Sequence, residues 1–231
     1  MALNAWEGIH MYVELQDISK QIRRSPILNH ISVGFEKGRI YGLKGKNGSG
    51  KTMLLRMIAG LILPNSGQVL IDGKILGKDM SFPESIGILI ENPSFISGET
   101  GLSNLSILAS IQKKADRKDL EETLERVGLD PGDKRTYRKY SLGMKQRLGI
   151  AAAIMEKPDI ILLDEPINAL DDKGVEAVRQ ILAEEKERGA LIIIACHDEA
   201  ELKLLSDEIF YMQSGEITGH EVLKNDQEDK S

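Results

Sequence analysis

Apolar and polar positions alternate over residues 11–18, the period of a half-buried strand. Arg23-Arg24-Ser25-Pro26 predicts a turn, and residues 31–35 a second strand. Residues 39–43 form a short apolar run of strand type, and residues 53–59 are good helix formers. Asn65-Ser66-Gly67 predicts a turn before a strand at 68–71, and Asp72-Gly73-Lys74 a hairpin turn after it. Residues 86–90 (Ile-Gly-Ile-Leu-Ile) lack polar side chains, which predicts a strand buried on both faces.

The texture changes after Asn92. Helical periodicity runs over 104–128, with Leu120, Leu124, Val127 and Leu129 on one face, until Pro131-Gly132-Asp133 breaks it. A further helix is expected over 142–155, ended by Lys157-Pro158. Strand character resumes at 160–163. A charged helix over 173–188 is stopped by Gly189, and residues 191–195 predict another fully buried strand. Residues 208–212 and 216–218, around Ser214-Gly215, predict a terminal hairpin, and the polar stretch 224–231 is expected to fray. The expected organisation is one domain over 1–231. Its α/β core covers about 11–91 and 159–220, and a mostly helical subdomain about 92–158 is inserted between them.

Composition narrows the function classes. The 231 residues carry a formal net charge of −6 and only 4% aromatics, with a pI near 5.4. Neither a basic footprint nor a stacking platform for nucleic acid is expected, so nucleic acid is not the partner this composition favours. Cys196 is the single cysteine, which suits a reducing cytoplasm and excludes a disulfide framework. His10, His30, His197 and His220 show no metal-ligand spacing. The start of the chain lacks a basic-then-apolar signal pattern. No run reaches about 18 apolar residues, so any membrane role must come through a partner.

Residues 45–52, Gly45-Lys46-Asn47-Gly48-Ser49-Gly50-Lys51-Thr52, fit the pattern G-x-x-x-x-G-K-[ST]. The run lies between a predicted strand and a predicted helix, the context that gives the motif its chemistry. Its glycines permit backbone conformations that side chains forbid. Successive N–H groups can then converge on an anion at the positive end of a helix. Lys51 is expected to reach the β- and γ-phosphates of a nucleotide, and the Thr52 hydroxyl to hold Mg²⁺. Far downstream, the buried strand 160–163 ends in Asp164-Glu165-Pro166. Asp164 at a strand end is expected to hold Mg²⁺, and Glu165 to polarise an attacking water.

Tyr140-Ser141-Leu142-Gly143-Met144-Lys145-Gln146-Arg147 opens the insert's last helix. The P-loop, this Ser-x-Gly helix start, Asp164-Glu165-Pro166, Asn168-Ala169-Leu170-Asp171 and His197 follow in the order of the ATPase subunits of ATP-binding cassette (ABC) transporters. The resemblance covers roughly 11–220. It implies an α/β P-loop NTPase (RecA-like) core with a helical signature subdomain and an antiparallel β region, and an ATPase whose cofactors are ATP and Mg²⁺. It also implies a head-to-tail dimer in which Ser141 and the Gly143 N–H of one subunit face the γ-phosphate held by the other. By the same resemblance His197 is catalytic beside Glu165, and Asp171 belongs to a loop crossing the dimer seam. A separate integral membrane permease would hold the subunit at the inner, cytoplasmic face of the cell membrane.

Three positions depart from the family's pattern. The usual Leu-Ser-Gly-Gly-Gln is Tyr140-Ser141-Leu142-Gly143-Met144, which keeps the Ser and the second Gly. The Gln that usually follows the strand at 86–90 is Glu91, which can accept but not donate and suits Mg²⁺. The aromatic that usually stacks on adenine is, by spacing, Ile22, at a cost of about 1 kcal/mol of stacking. Glu91 and the SLGMKQR run resemble the ATPases of exporters for peptide antibiotics such as bacitracin and lantibiotics. The competing expectations are a soluble ABC-type ATPase acting on ribosomes or DNA, which usually carries two cassettes or coiled-coil insertions, and a small-molecule P-loop kinase, which needs no Ser-x-Gly helix.

Overall fold

The computed structural model describes residues 11–223. Strands β1 (Val13–Ile22) and β2 (Ser25–Phe35) lead into β3 (Ile40–Lys44), helix α1 (Lys51–Ile58), β4 (Ser66–Ile71), β5 (Lys74–Ile75) and β6 (Ile86–Leu89). Helices α2 (Gly101–Gln112), α3 (Arg117–Arg126) and α4 (Leu142–Ile154) follow. The chain ends with β7 (Ile160–Asp164), α5 (Asp172–Glu187), β8 (Leu191–Cys196), α6 (Glu199–Leu205), β9 (Glu208–Gln213) and β10 (Glu216–Val222).

Two sheets organise these elements. An antiparallel sheet has the order β2-β1-β4-β5, and a six-stranded sheet the order β10-β9-β3-β8-β7-β6. In the larger sheet β6, β7, β8, β3 and β9 run parallel, and only β10 turns back against β9. The apolar runs of β7 and β8 are explained by their central places. Alternate side chains serve two cores. Ile161, Leu163, Ile192 and Ile194 pack with α4 and α5, while Ile160, Leu162, Leu191 and Ile193 pack with α1, β1 and β2. A strand covered on both faces has no polar side to alternate with.

Several boundaries differ from the sequence reading. The strands at the start of the chain are longer than residues 11–18 and 31–35, and the turn between them is confined to Arg23 and Arg24, both with φ above zero. The continuous helix expected over 104–128 is two helices. Lys113 adopts a left-handed conformation as the cap of α2, and Asp116 opens α3 in a capping box with Asp119. The strand at 86–90 is not buried on both faces. β6 is an edge strand, and Ile88 stays 39% exposed, because apolar composition does not reveal the strand order. The expected fraying of 224–231 lies outside the described residues.

Gly87 on β6 shows how closely the helical insert packs on the sheet. A Cβ there would fall inside the van der Waals shell of the Ala153 carbonyl oxygen on α4. Gly87→Ala is therefore expected to destabilise the fold by about 1–3 kcal/mol, since backbone must move to admit it. A chemical-denaturation midpoint equal to that of the unaltered chain would refute this packing.

Candidate active site

The site lies where β3, β7 and β8 end. Lys44 stands opposite Cys196 and Asp164 opposite Ala195 in the parallel ladders, so the three following loops leave the sheet side by side. The loop after β3 turns through Gly48 (φ 81°) and Gly50 (φ 108°), a region open to glycine at little cost. A Cβ on Gly45 would collide with Ser49 and the Met212 carbonyl. Between this loop and β7 is a cleft of about 430 Å³, lined by Ile27, the segment 47–53, Asp164 and Glu165. On the loop's other side, Lys44, residues 45–49, 211–214 and Thr218 line a second cleft of about 450 Å³.

The donor groups of the first cleft suit an anion. Helices α2 to α6 each have a side chain capping their first turn: Thr100, Asp116, Ser141, Asp171 and Asp198. α1 has Gly50 at its N-cap and so no capping side chain. Its first N–H groups therefore have no side-chain acceptor at the end where the helix dipole is positive. Lys51 is buried beneath the loop, and its ammonium donates to the Gly45 carbonyl at 2.6 Å and the Lys46 carbonyl at 3.4 Å. The buried Ser49 hydroxyl has no hydrogen-bond partner, which is costly unless an acceptor arrives. Asn47, Gly48 and Ser49 border both clefts.

Next to these donors is an oxygen pair. The Thr52 hydroxyl donates to Asp164 Oδ2 at 2.6 Å. Burial raises the Asp164 carboxyl above its ordinary value; the Thr52 bond opposes this, and the nearby Glu165 charge adds to it. A hydroxyl and a carboxylate in contact, held where a further positive charge would relieve the carboxylate, are donors of the kind Mg²⁺ takes. The residues present therefore fit that ion.

Glu165 follows with φ 49°, an uncommon conformation for a residue with a side chain. Its amide donates to the Ala195 carbonyl, and both carboxylate oxygens lie 2.9 Å from His197 Nδ1. His197 itself is largely exposed. The pair can hold a water-derived proton and orient the carboxylate that takes it.

The remaining expected residues are dispersed. Ser141 caps α4 by accepting from the Met144 N–H at 3.2 Å, and Leu142 beside it is exposed. Gly143 packs close to the neighbouring loop, since a Cβ there would meet the Ala169 carbonyl at 2.8 Å. Asp171 caps α5 and pairs with Arg147 at 2.6 Å. Glu91 (φ 61°) pairs with Arg56 of α1 at 2.7 Å, close enough to Asp164 for its charge to add to the raised carboxyl pKa there. Ile22 ends β1 exposed, and Ile27 instead lines the cleft.

Sequence reasoning missed Gln146. Its amide nitrogen donates at 3.0 Å to both the Glu165 and the Pro166 carbonyls, tying α4 to the loop that carries the carboxylate. The available clue was a polar residue four positions before Ile150, on the face of the helix that carries its buried apolar residues.

This arrangement can be set beside known proteins. The ABC transporter family model matches residues 28–168. The uncharacterized ABC transporter ATP-binding protein YybJ of Bacillus subtilis (strain 168) is 49% identical over 205 residues, covering 89% of this chain and 94% of that protein. The bacitracin transport ATP-binding protein BcrA of Enterococcus faecalis is 39% identical, covering 89% and 67%. The lantibiotic transport ATP-binding protein SrtF of Streptococcus pyogenes is 32% identical, covering 89% and 88%. Among solved structures, a dimeric post-hydrolysis state of the ATP-binding cassette MJ0796 bound to ADP and Pi superposes with a TM-score of 0.82 at 26% identity, covering 92% of this chain and 99% of that one. CbiO1 from Clostridium perfringens, part of the ABC transporter complex cbiONQ, gives 0.77 at 27% identity, covering 91% and 88%.

The chain belongs to the ABC transporter family, as an ATP-binding subunit with the P-loop NTPase fold. It is an ATPase of the transport-coupled type. Among the described residues no helix is long and apolar enough to cross a membrane.

Gln146→Ala should leave two buried carbonyls without their donor and lower stability by about 1–3 kcal/mol. Urea unfolding monitored beside Gln146→Glu, which keeps the volume but cannot donate when ionised, checks this. Equal stability of all three chains would show that the tie carries no energy.

Proposed function

We propose that this chain is the motor of a bacterial exporter of peptide antibiotics or related compounds, bound as a head-to-tail pair to a separate membrane permease at the inner face of the membrane. The observation that carries the catalytic part is the convergence of Lys51, the Thr52–Asp164 pair and the Glu165–His197 pair on one strand-end edge. The export part rests on likeness to BcrA and SrtF, together with Glu91 and the SLGMKQR run at 141–147.

The roles follow from the chemistry of each group. The uncapped start of α1, the 45–50 loop and Lys51 take the triphosphate, with the Ser49 hydroxyl as a further donor. Thr52 and Asp164 would hold Mg²⁺, with Glu91 beside them; when bound, the ion would supply positive charge next to the phosphate oxygens. Glu165 accepts a proton from the attacking water, and His197 holds the carboxylate and contacts the terminal phosphate. Ser141 and the Gly143 amide complete the site of the partner copy from the exposed tip of α4. ATP favours the closed pair because only the closed pair presents those extra donors, which is the differential affinity a population shift requires. The α/β core and the 92–158 insert are the two parts whose relative motion the permease receives.

Glu165→Gln should bind ATP and Mg²⁺ yet hydrolyse about 100-fold more slowly or worse, and should elute as a dimer when Mg²⁺-ATP is present. Undiminished phosphate release would remove Glu165 from its role. For the export reading, deletion of the gene in its native host should raise susceptibility to a bacitracin-type or lantibiotic peptide, and the tagged chain should co-purify with an integral membrane protein. Unchanged susceptibility across both peptide classes would redirect the cargo assignment.

A further inference from the structure

Cys196 is the last residue of β8, and His197 is the first beyond it. Asp164 opposite Ala195 is the last pair of the β7–β8 ladder, so Glu165 leaves its strand beside the end of β8, where Cys196 is. The fold thus brings Glu165 to the adjacent Cys196 and His197, which spacing along the chain does not do. One ligand atom from each of Glu165, Cys196 and His197 lies within 4.8 Å of the other two. The histidines show no metal-ligand spacing along the chain; the juxtaposed strand ends supply what spacing could not.

These atoms are a carboxylate oxygen, an imidazole nitrogen and a thiol sulfur, the mixed donor set that zinc takes. Tetrahedral bonds of about 2.0–2.3 Å put ligand atoms roughly 3.3–3.8 Å apart. The present 2.9 Å between His197 Nδ1 and Glu165 would have to open by a few tenths of an ångström, and the wider separations to close. His197 lies at the surface, which gives a cation an entry path and leaves a fourth position for water. Cys196 is itself buried, and its sulfur accepts from the Asp198 amide at 3.4 Å, a contact that fixes its direction without using up the sulfur.

We propose that Glu165, Cys196 and His197 form an inhibitory site for a thiophilic divalent cation of the zinc class, distinct from the Thr52–Asp164 oxygen pair. The cation takes the place of the proton between Glu165 and His197 and holds the carboxylate away from water. The thiol loses its proton when the cation binds, because the thiolate is the ligand form. Binding then forms bonds from the metal to the Cys196 sulfur, His197 Nδ1 and a Glu165 oxygen; the thiol proton passes to solvent, and the proton displaced from Nδ1 passes to solvent or, in the neutral ring, is carried on Nε2 instead. Hard Mg²⁺ prefers oxygen donors and does not compete effectively for the sulfur and nitrogen. The inhibitory consequence rests on the hydrolytic role proposed for Glu165, whereas the binding does not.

The single cysteine of the chain makes the site directly visible. Nucleotide-free protein titrated with Cd²⁺ should develop an ultraviolet thiolate-to-cadmium band that saturates at one equivalent. The band should be lost in Cys196→Ser, and the affinity weakened at least about tenfold in His197→Ala and in Glu165→Gln. His197 is exposed, so its variant is expected to fold even where Cys196→Ser does not. In a second arm, Zn²⁺ in the presence of excess Mg²⁺-ATP should inhibit hydrolysis. The inhibition curve of Cys196→Ser, normalised to its own uninhibited rate, should move at least about tenfold to higher Zn²⁺. Absence of the band, wild-type cadmium affinity in both His197→Ala and Glu165→Gln, or equal zinc sensitivity with and without Cys196 would each overturn the proposal. A chain with the band but no ATPase activity would instead count against the hydrolytic reading.

Discussion

The parallel ladder of β3, β8 and β7 places every reactive group at the same height. Lys44 leads into the glycine loop, Cys196 into His197, and Asp164 into Glu165, and in the ladder these strand ends are within one residue of each other. A strand slipped by one residue would turn each side chain to the opposite face. That slip is resisted because the alternate residues of β7 and β8 are committed to two different cores. Burial of Ile160 to Leu163 and of Leu191 to Ala195 therefore acts at a distance on the chemistry: it sets the level at which the loops begin.

The second constraint is the attachment of the helical insert. α4 approaches β6 where Gly87 lacks a side chain, and it reaches the loop after β7 through Gln146, Gly143 and the Arg147–Asp171 pair. All three lie within the first six residues of α4. The exposed tip formed by Ser141 and Leu142 is thus mechanically continuous with the backbone of Glu165. A displacement of that tip by a neighbouring subunit would reach the Glu165 backbone carbonyl through the Gln146 hydrogen bond as well as through the shared apolar core.

The local chemistry was largely legible in the sequence, and the geometry between segments was not. The 45–52 loop, its flanking strand and helix, and the acids after β7 follow from residue type and short spacing. The edge position of β6 depends on strand order, which apolar composition alone does not encode, so Ile88 was assigned to an interior it does not occupy. The break at Lys113 could have been read from Asp116 and Asp119, whose spacing is that of a capping box, but the apolar rhythm across 104–128 obscured it. Gln146 and Cys196 acquire their partners only across the fold, from residues 19 and 31 positions away in the chain.

Glu165 sits in a left-handed backbone conformation that an ordinary L-residue occupies at a cost of about 1–3 kcal/mol. Glycine or asparagine would sit there with less strain. Directed evolution for heat tolerance alone would therefore drift toward those residues at this position, while screening for turnover would pull it back. The same torsion angle that aims the carboxylate is a place where robustness and chemistry are selected in opposite directions.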